Sequence, residues 1–382
     1  MKTHFIQPAC LLILFFCSMI AHTQNIAPAI LQKYWSAFWI TVPDATSNAY
    51  GVYLFRKNLD LGSKPATFVI HISADNRYKL FVNEKLVSLG PARGDLNHWQ
   101  FETVDLAPYL QSGKNIIAAQ VWNEAEWRPE AQISLQTGFI VQAANDVAKE
   151  INTNSSWKCQ RDSSFSPIRV TMATYYVSGP GELVQLAKQA KNWQSLDFPE
   201  TGWKNAKSIF AGNPKNTLGQ YGTPNAWMLV PSTLPQMELK PERFAKVARA
   251  EGLELPAGFP HTKVELRIPA NTVATILLDQ NYLTNAYPAL QFSGGKDGSI
   301  SLMYAEALFT KFPDKGNRNE VAGKRVIGRK DSLMLDGSPN QTYTTLAYRT
   351  YRYVQLRIIT KGEALVLHDV FGNFTGYPFQ FN

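Results

Sequence analysis

FVIHISADNRYKLFVNEKLV, residues 68–87, decides the fold class of this chain. Phe68, Ile70 and Ile72 alternate with Val69, His71 and Ser73, and a period of two puts successive side chains on opposite faces of a strand. Two short runs then flank Asn83-Glu84, which predicts a hairpin. A two-residue turn of type I′ needs positive φ at both central positions, and Glu84 stands where glycine is the usual choice.

Outward from this stretch the same texture continues. Strands are expected at Trp99 to Leu106, Asn115 to Trp122 and Ile133 to Gln142, with turn signals at Gly90-Pro91 and Ser112-Gly113-Lys114. After the proline-studded segment Pro224 to Pro241 come Lys263 to Ile268, Thr272 to Asp279, Leu290 to Ser293, Ile300 to Tyr304, Tyr343 to Thr360 and Ala364 to Asp369. Helical spacing occurs only in the short stretches Glu182 to Lys191 and Glu242 to Glu251, read as connectors. The fold class expected is all-β: two β-sandwich or jelly-roll domains, the first of galactose-binding-like type, with short connecting helices. The boundaries expected are a signal peptide at 1–24, a first domain at 25–213, a linker at 214–230 and a second domain at 231–382.

Composition agrees with this reading and narrows the function. Charged residues make up 18% of the 382, too few for a disordered chain or a coiled coil, and aromatic residues 12%. The net charge of +8 is not gathered into a basic stripe or arm, so a nucleic-acid partner is not expected. The apolar run Cys10 to Ala21 has the length of a signal peptide and is too short for a membrane span, which predicts a secreted or periplasmic protein. Of three cysteines only Cys159 lies outside that run, so no intrachain disulfide is expected in the exported chain.

The pieces ADNRYKLFVN and SLGPARGD, followed by LMYAEALF, YRTYRYVQL and FTGYPF, resemble the amino-terminal region of bacterial α-L-rhamnosidases in order and spacing. The resemblance implies a jelly roll like the sugar-binding domains of many glycosidases, then the second sandwich that precedes the catalytic domain of those enzymes. It also implies where the chemistry sits: in a helical barrel that would begin after Phe379, where a general acid and a general base act about 6.5 to 9.5 Å apart. On this resemblance no catalytic residue is expected here. The chain would be a truncated, non-catalytic front, inactive alone, with a rhamnose-containing glycan as ligand and a separate catalytic domain as partner. The rival readings are a complete glycosidase with its site on the sandwiches, and a protein-binding adhesion or assembly module.

Three groups of residues are candidates for binding. Asp75 and Asn76 enter a strand and Asn123 closes another; rhamnose-binding modules that resemble this stretch hold Ca2+ with such a set, and a hard cation prefers such oxygens. The bland reading, which the residues favour over the cation, is an Asx turn at Asp75-Asn76 and a strand cap at Asn123. Glu124, Glu126, Trp127 and Arg128 offer a flat ring for the C–H face of a sugar and charged groups for its hydroxyls, with Trp122 expected in the core. Arg93, on the loop after Gly90-Pro91, is expected at the same rim, braced by an ion pair with Asp95, and His98 as a turn hydrogen-bonder. Glu306 is expected to pair with Arg349 or Arg352, which point to opposite faces of one strand.

Overall fold

The computed structural model describes residues 26–169, 177–217 and 227–379. The expected signal peptide and residues 218–226 of the expected linker lie outside them. The regular secondary structure of the described residues is almost all strand, arranged as sheets of seven, six and eleven strands. Helix is limited to the five residues Pro28–Gln32 and brief 3-10 turns.

The seven- and six-stranded sheets face each other and enclose the first core. Strand Val69–Asp75 sits in the seven-stranded sheet between Trp99–Asp105 and Gly138–Ala143. Ile70, Ile72 and Ala74 point inward, onto Phe55, Leu80, Ile117 and Val141. The opposite face of that strand is also closed. Trp35, Trp39, Phe101 and Trp227 form a second apolar layer there, and His71 is buried against the rings of Trp35 and Phe101. Burial alone pushes His71 down to about 4, so it is held neutral, with Nδ1 2.9 Å from the Thr103 hydroxyl.

The hairpin expected at residues 78–87 forms between strands Arg77–Val82 and Lys85–Gly90 in the six-stranded sheet. Both turn residues have positive φ, 48° at Asn83 and 69° at Glu84, so Glu84 adopts the conformation that glycine would take without cost. Asn83 holds the turn in place: its Nδ2 donates to the Tyr109 carbonyl, and its Oδ1 accepts from the Ile116 N–H at 3.0 Å.

The eleven-stranded sheet wraps the second core, built from Leu290, Phe292, Leu302, Val354, Leu356 and Leu367 among others. Its spine is strand Val273–Gly294, hydrogen-bonded to Arg349–Ile359 and Leu365–Phe374. Two separate strands were expected here. The turn-like residues between them form an irregularity in one continuous strand, with Asn281 at φ 72° and its N–H bonded to Asp279 Oδ1. Conversely the single run expected over 343–360 is two strands, Gln341–Thr344 and Arg349–Ile359. The intervening Leu346 N–H turns aside to donate to Glu182 Oε1 at 2.7 Å.

Both helical expectations fail. Residues 182–191 begin as strand Gly181–Gln185, paired with Phe165–Ile168 and, in parallel, with Ser332–Met334, before a 3-10 turn at Leu186–Lys188. Residues 242–251 close strand Lys240–Glu242 and form strand Lys246–Glu251, the latter paired with Thr275–Asp279. In each case a distant sheet edge satisfies the backbone, and a helical spacing of a few apolar residues is too weak to compete. The connectors are therefore strands that stitch the sandwiches. Strands Phe165–Ile168 and Gly181–Gln185 extend the second sheet, and Met228–Pro231 returns to pair in parallel with Trp99–Phe101 of the first.

Candidate functional site

At the junction of the sandwiches lies an open cleft of about 390 Å³. The first sandwich contributes Arg77, Arg93, Trp122 and Glu124; the second contributes Tyr287, Tyr304, Glu306, Tyr348 and Arg349.

Glu124 owes its position to the trio expected to bind calcium. Asp75 is fully buried, and its carboxylate is saturated by protein donors. Oδ1 accepts from Asn76 Nδ2 at 2.6 Å and Ser134 Oγ at 2.7 Å, with Asn123 Nδ2 at 3.5 Å. Oδ2 accepts from the Leu135 N–H at 2.7 Å and Trp227 Nε1 at 3.0 Å. Asn76 Oδ1 accepts from the Glu124 N–H and Asn123 Oδ1 from the Ala125 N–H, each at 2.8 Å. Each of these side-chain oxygens thus faces an N–H or O–H donor. The trio as arranged does not fit a resident Ca2+, which would need several of the same oxygens. It is a hydrogen-bonded brace, and what it presents is Glu124. Among the described residues, no group of three or more His, Cys, Asp or Glu side chains converges as a metal site.

Beyond the brace the chain turns sharply. Ala125 has φ 48° and opens the 3-10 turn Ala125–Trp127, closed by Arg128, whose Nη1 donates to the Ala125 carbonyl at 2.7 Å and Nε to that of Gln132 at 3.0 Å. This turn divides the expected sugar-binding group. Glu124 lines the cleft; Glu126 is exposed and Trp127 half-buried, both off its lining, and Arg128 is engaged with backbone. Trp122, buried as expected, shows an edge to the cleft. Arg93 reaches the cleft as expected, but Asp95 pairs with His98 at 3.3 Å instead. Arg77 was missed. Its signal was available: it opens the strand directly after Asp75-Asn76, pairing with Trp122.

Electrostatically the cleft is positive. Burial pushes the Glu124 carboxyl above its ordinary range, and the charges of Arg349, Arg77, Arg93 and Arg329 pull it back. Arg349 is already neutralised, however. It bridges Asp331 at 2.8 Å and Glu182 at 3.2 Å in the buried wall, where Tyr304 donates to Asp331 at 2.7 Å and Tyr343 to Glu182 at 3.1 Å. The expected pairing of Glu306 with an arginine is not found: Glu306 is exposed, Arg349 goes to Asp331 and Glu182, and Arg352 to Asp279 at 3.0 Å. Buried ion pairs need full partners, and only these inward carboxylates supply them.

One further polar contact crosses the junction. Lys79, buried in the first sandwich, donates to the Thr345 carbonyl of the second at 2.7 Å, with its ammonium 5.5 Å from the centre of the Tyr287 ring. Burial pushes Lys79 down to about 8, against the attraction of Glu182, so the walls of the cleft are fastened behind it.

A double-sandwich protein with a charged cleft at the seam is thus what the geometry defines. Residues 63–225 match the family described as Alpha-L-rhamnosidase N-terminal domain. The fold agrees across both sandwiches. A GH78 family rhamnosidase of Bacillus sp. GL1 superposes with a TM-score of 0.74 at 12% identity, over 91% of this chain and 56% of that one. An alpha-L-rhamnosidase from Dictyoglumus thermophilum gives 0.60 at 18% identity, over 91% and 36%. One from Aspergillus terreus gives 0.56 at 17%, over 88% and 36%. The chain therefore spans between about a third and just over half of the length of these enzymes. No curated protein sequence matches it at a significant level.

Proposed function

We propose that this chain is a non-catalytic, carbohydrate-recognising front of an α-L-rhamnosidase, exported on the Cys10–Ala21 run, that holds a rhamnose-containing glycan in the cleft between its sandwiches and docks a catalytic domain. The observation that carries the reading is Glu124: a carboxylate-bearing residue whose backbone N–H is held on the brace by Asn76 and which lines an open cleft together with Trp122 and Tyr348. Such a carboxylate accepts sugar hydroxyls, and an aromatic ring covers the C–H face. The family match supports the sugar class. A single site of this kind binds near millimolar, about 4 kcal/mol.

The test is calorimetric titration of the mature chain with a rhamnose-terminated oligosaccharide. Glu124→Gln is expected to weaken binding at least fivefold with the fold intact, and the wild type to leave an aryl rhamnoside unhydrolysed. No binding at all, or binding indifferent to Glu124, would remove the reading.

One observation favours a second reading, a glycosidase built on the sandwiches. Glu124 and Glu306 line the same cleft, and burial raises Glu124 as a general acid requires. Hydrolysis of the aryl rhamnoside that persists through purification and disappears in both Glu124→Gln and Glu306→Gln would establish it.

A further inference from the structure

The main cleft does not end at its first-sandwich wall. A second cavity of about 270 Å³ adjoins it, and Arg77, Arg93 and Tyr348 line both. The second cavity has its own buried carboxylate. Glu102 accepts from the Ala92 N–H at 2.9 Å and from Gln236 Nε2 at 3.3 Å, so its oxygens are occupied by the protein.

The two arginines stand where the cavities meet, and their guanidinium groups are not spent on the fold. Among the described residues neither makes a hydrogen bond or ion pair through its side chain, although Arg77 is half-buried. This is unlike Arg349 and Arg352 of the same protein, each locked onto buried carboxylates. A half-buried arginine without a partner is held in reserve for an anion, because a guanidinium fork matches a planar carboxylate in two parallel hydrogen bonds. Glu124 does not fill that role: it interacts with both arginines through space but is bonded to neither.

We propose that the seam between the two cavities is a subsite for the carboxylate of an acidic sugar, so that the glycan held here is a uronic-acid-containing saccharide running from one cavity into the other. Arg77 and Arg93 take the carboxylate at the junction, Tyr348 lies alongside as the shared aromatic face, and Glu124 takes hydroxyls of the sugar in the larger cavity. The inference rests on the carbohydrate reading of this cleft and deepens it by naming the charge of the ligand. The excess of arginine over free carboxylate at the seam gives the preference its sign.

The experiment titrates the mature chain with a disaccharide of rhamnose and a hexuronic acid, and in parallel with the same disaccharide as its methyl ester. The acid is expected to bind at least tenfold more tightly than the ester at low salt, with the difference shrinking as salt is raised. Arg93→Gln, at an exposed position, and Arg77→Gln are each expected to cut the acid's advantage over the ester at least threefold with the circular-dichroism spectrum unchanged; an advantage that survives in both variants overturns the proposal. Equal binding of acid and ester in the wild type overturns the proposal and leaves the carbohydrate reading standing. Failure of both to bind overturns the two together. Acetate competing as well as the acid, or a sulfated disaccharide binding more tightly than the acid, also overturns it, since the site would then be a general anion site or one built for sulfate esters.

Discussion

Trp227 donates its indole N–H to Asp75 Oδ2 at 3.0 Å, tying a residue near the end of the first sandwich's chain to the brace beneath Glu124. The same indole stacks on Trp39 at a centroid distance of 4.0 Å, so the brace is roofed by aromatic packing that keeps water away from the carboxylate.

This roofing makes Asp75 a structural keystone. Removing the carboxylate in Asp75→Ala leaves Trp227 Nε1, the Leu135 N–H and the Ser134 hydroxyl without their acceptor in a dry site, at about 1–3 kcal/mol for each orphaned group. Chemical denaturation should show a loss of at least about 3 kcal/mol and a loosening of sugar affinity that follows Glu124. Thermal melts of the wild type in calcium and in chelator should coincide. A calcium-dependent rise in Tm that vanishes in Asp75→Ala would show the brace reopening around a cation.

Glu84 occupies a left-handed turn position that costs a side-chain-bearing residue about 1–2 kcal/mol, and its side chain is exposed. Glu84→Gly relieves that cost and gives back part of it as chain entropy. The variant should be more stable by about 0.5–1 kcal/mol in urea. No change, or a loss, would mean that the Asn83 contacts alone determine the turn.

Glu182 should leave a mark on the pH dependence of stability. Burial, with the charge of Asp331, pushes it up to about 7 against the pull of Arg349 and Lys79. Below about pH 4.5 both folded and unfolded chains hold the proton. Between there and 7 the folded chain keeps a proton that the unfolded chain has released, so this group's contribution is present at low pH and is lost as pH rises through 7. Its full span is up to about 3 kcal/mol. Glu182→Gln should be less stable overall yet lack that decline. Stability curves against pH for the two proteins that run parallel from 4.5 to 7 would contradict the assignment.

Much of the first sandwich was readable from its own residues because its signals are local. The alternation at residues 68–73 places Ile70 and Ile72 in the core, and the hairpin at 83–84 is where the pattern breaks. What alternation could not show is that the other face is covered too, since Trp35 and Trp227 arrive from far along the chain. The errors share that cause. Leu183 and Leu186 have helical spacing, but 181–185 is held as a strand between Phe165–Ile168 and, some 150 residues on, Ser332–Met334. The site was half legible for the same reason. Glu124 and Arg93 carry chemistry visible in one loop each, whereas the wall made by Tyr348 and Arg349 exists only because the sandwiches meet. Asp75, Asn76 and Asn123 were correctly seen as neighbours. Whether their oxygens faced a cation or backbone N–H groups depended on Ser134, Leu135 and Trp227, which no spacing rule connects to them.

The alternation of the chain between the sandwiches, with Phe165–Ile168 and Gly181–Gln185 in the second sheet, Lys204–Asn205 and Met228–Pro231 back in the first sandwich and Lys240–Glu242 in the second again, bears on how such proteins are inherited. A domain joined by one linker can be shuffled between genes with a single cut. Here a cut before Phe165 would leave first-sandwich strands with the second sandwich, a cut near Lys240 would leave second-sheet strands with the first, and a cut between Gln185 and Lys204 would divide both, so no single cut separates the two sandwiches cleanly and they are exchanged intact only as one cassette. The seam and its cleft are therefore expected to descend together, as a unit of recombination larger than either fold.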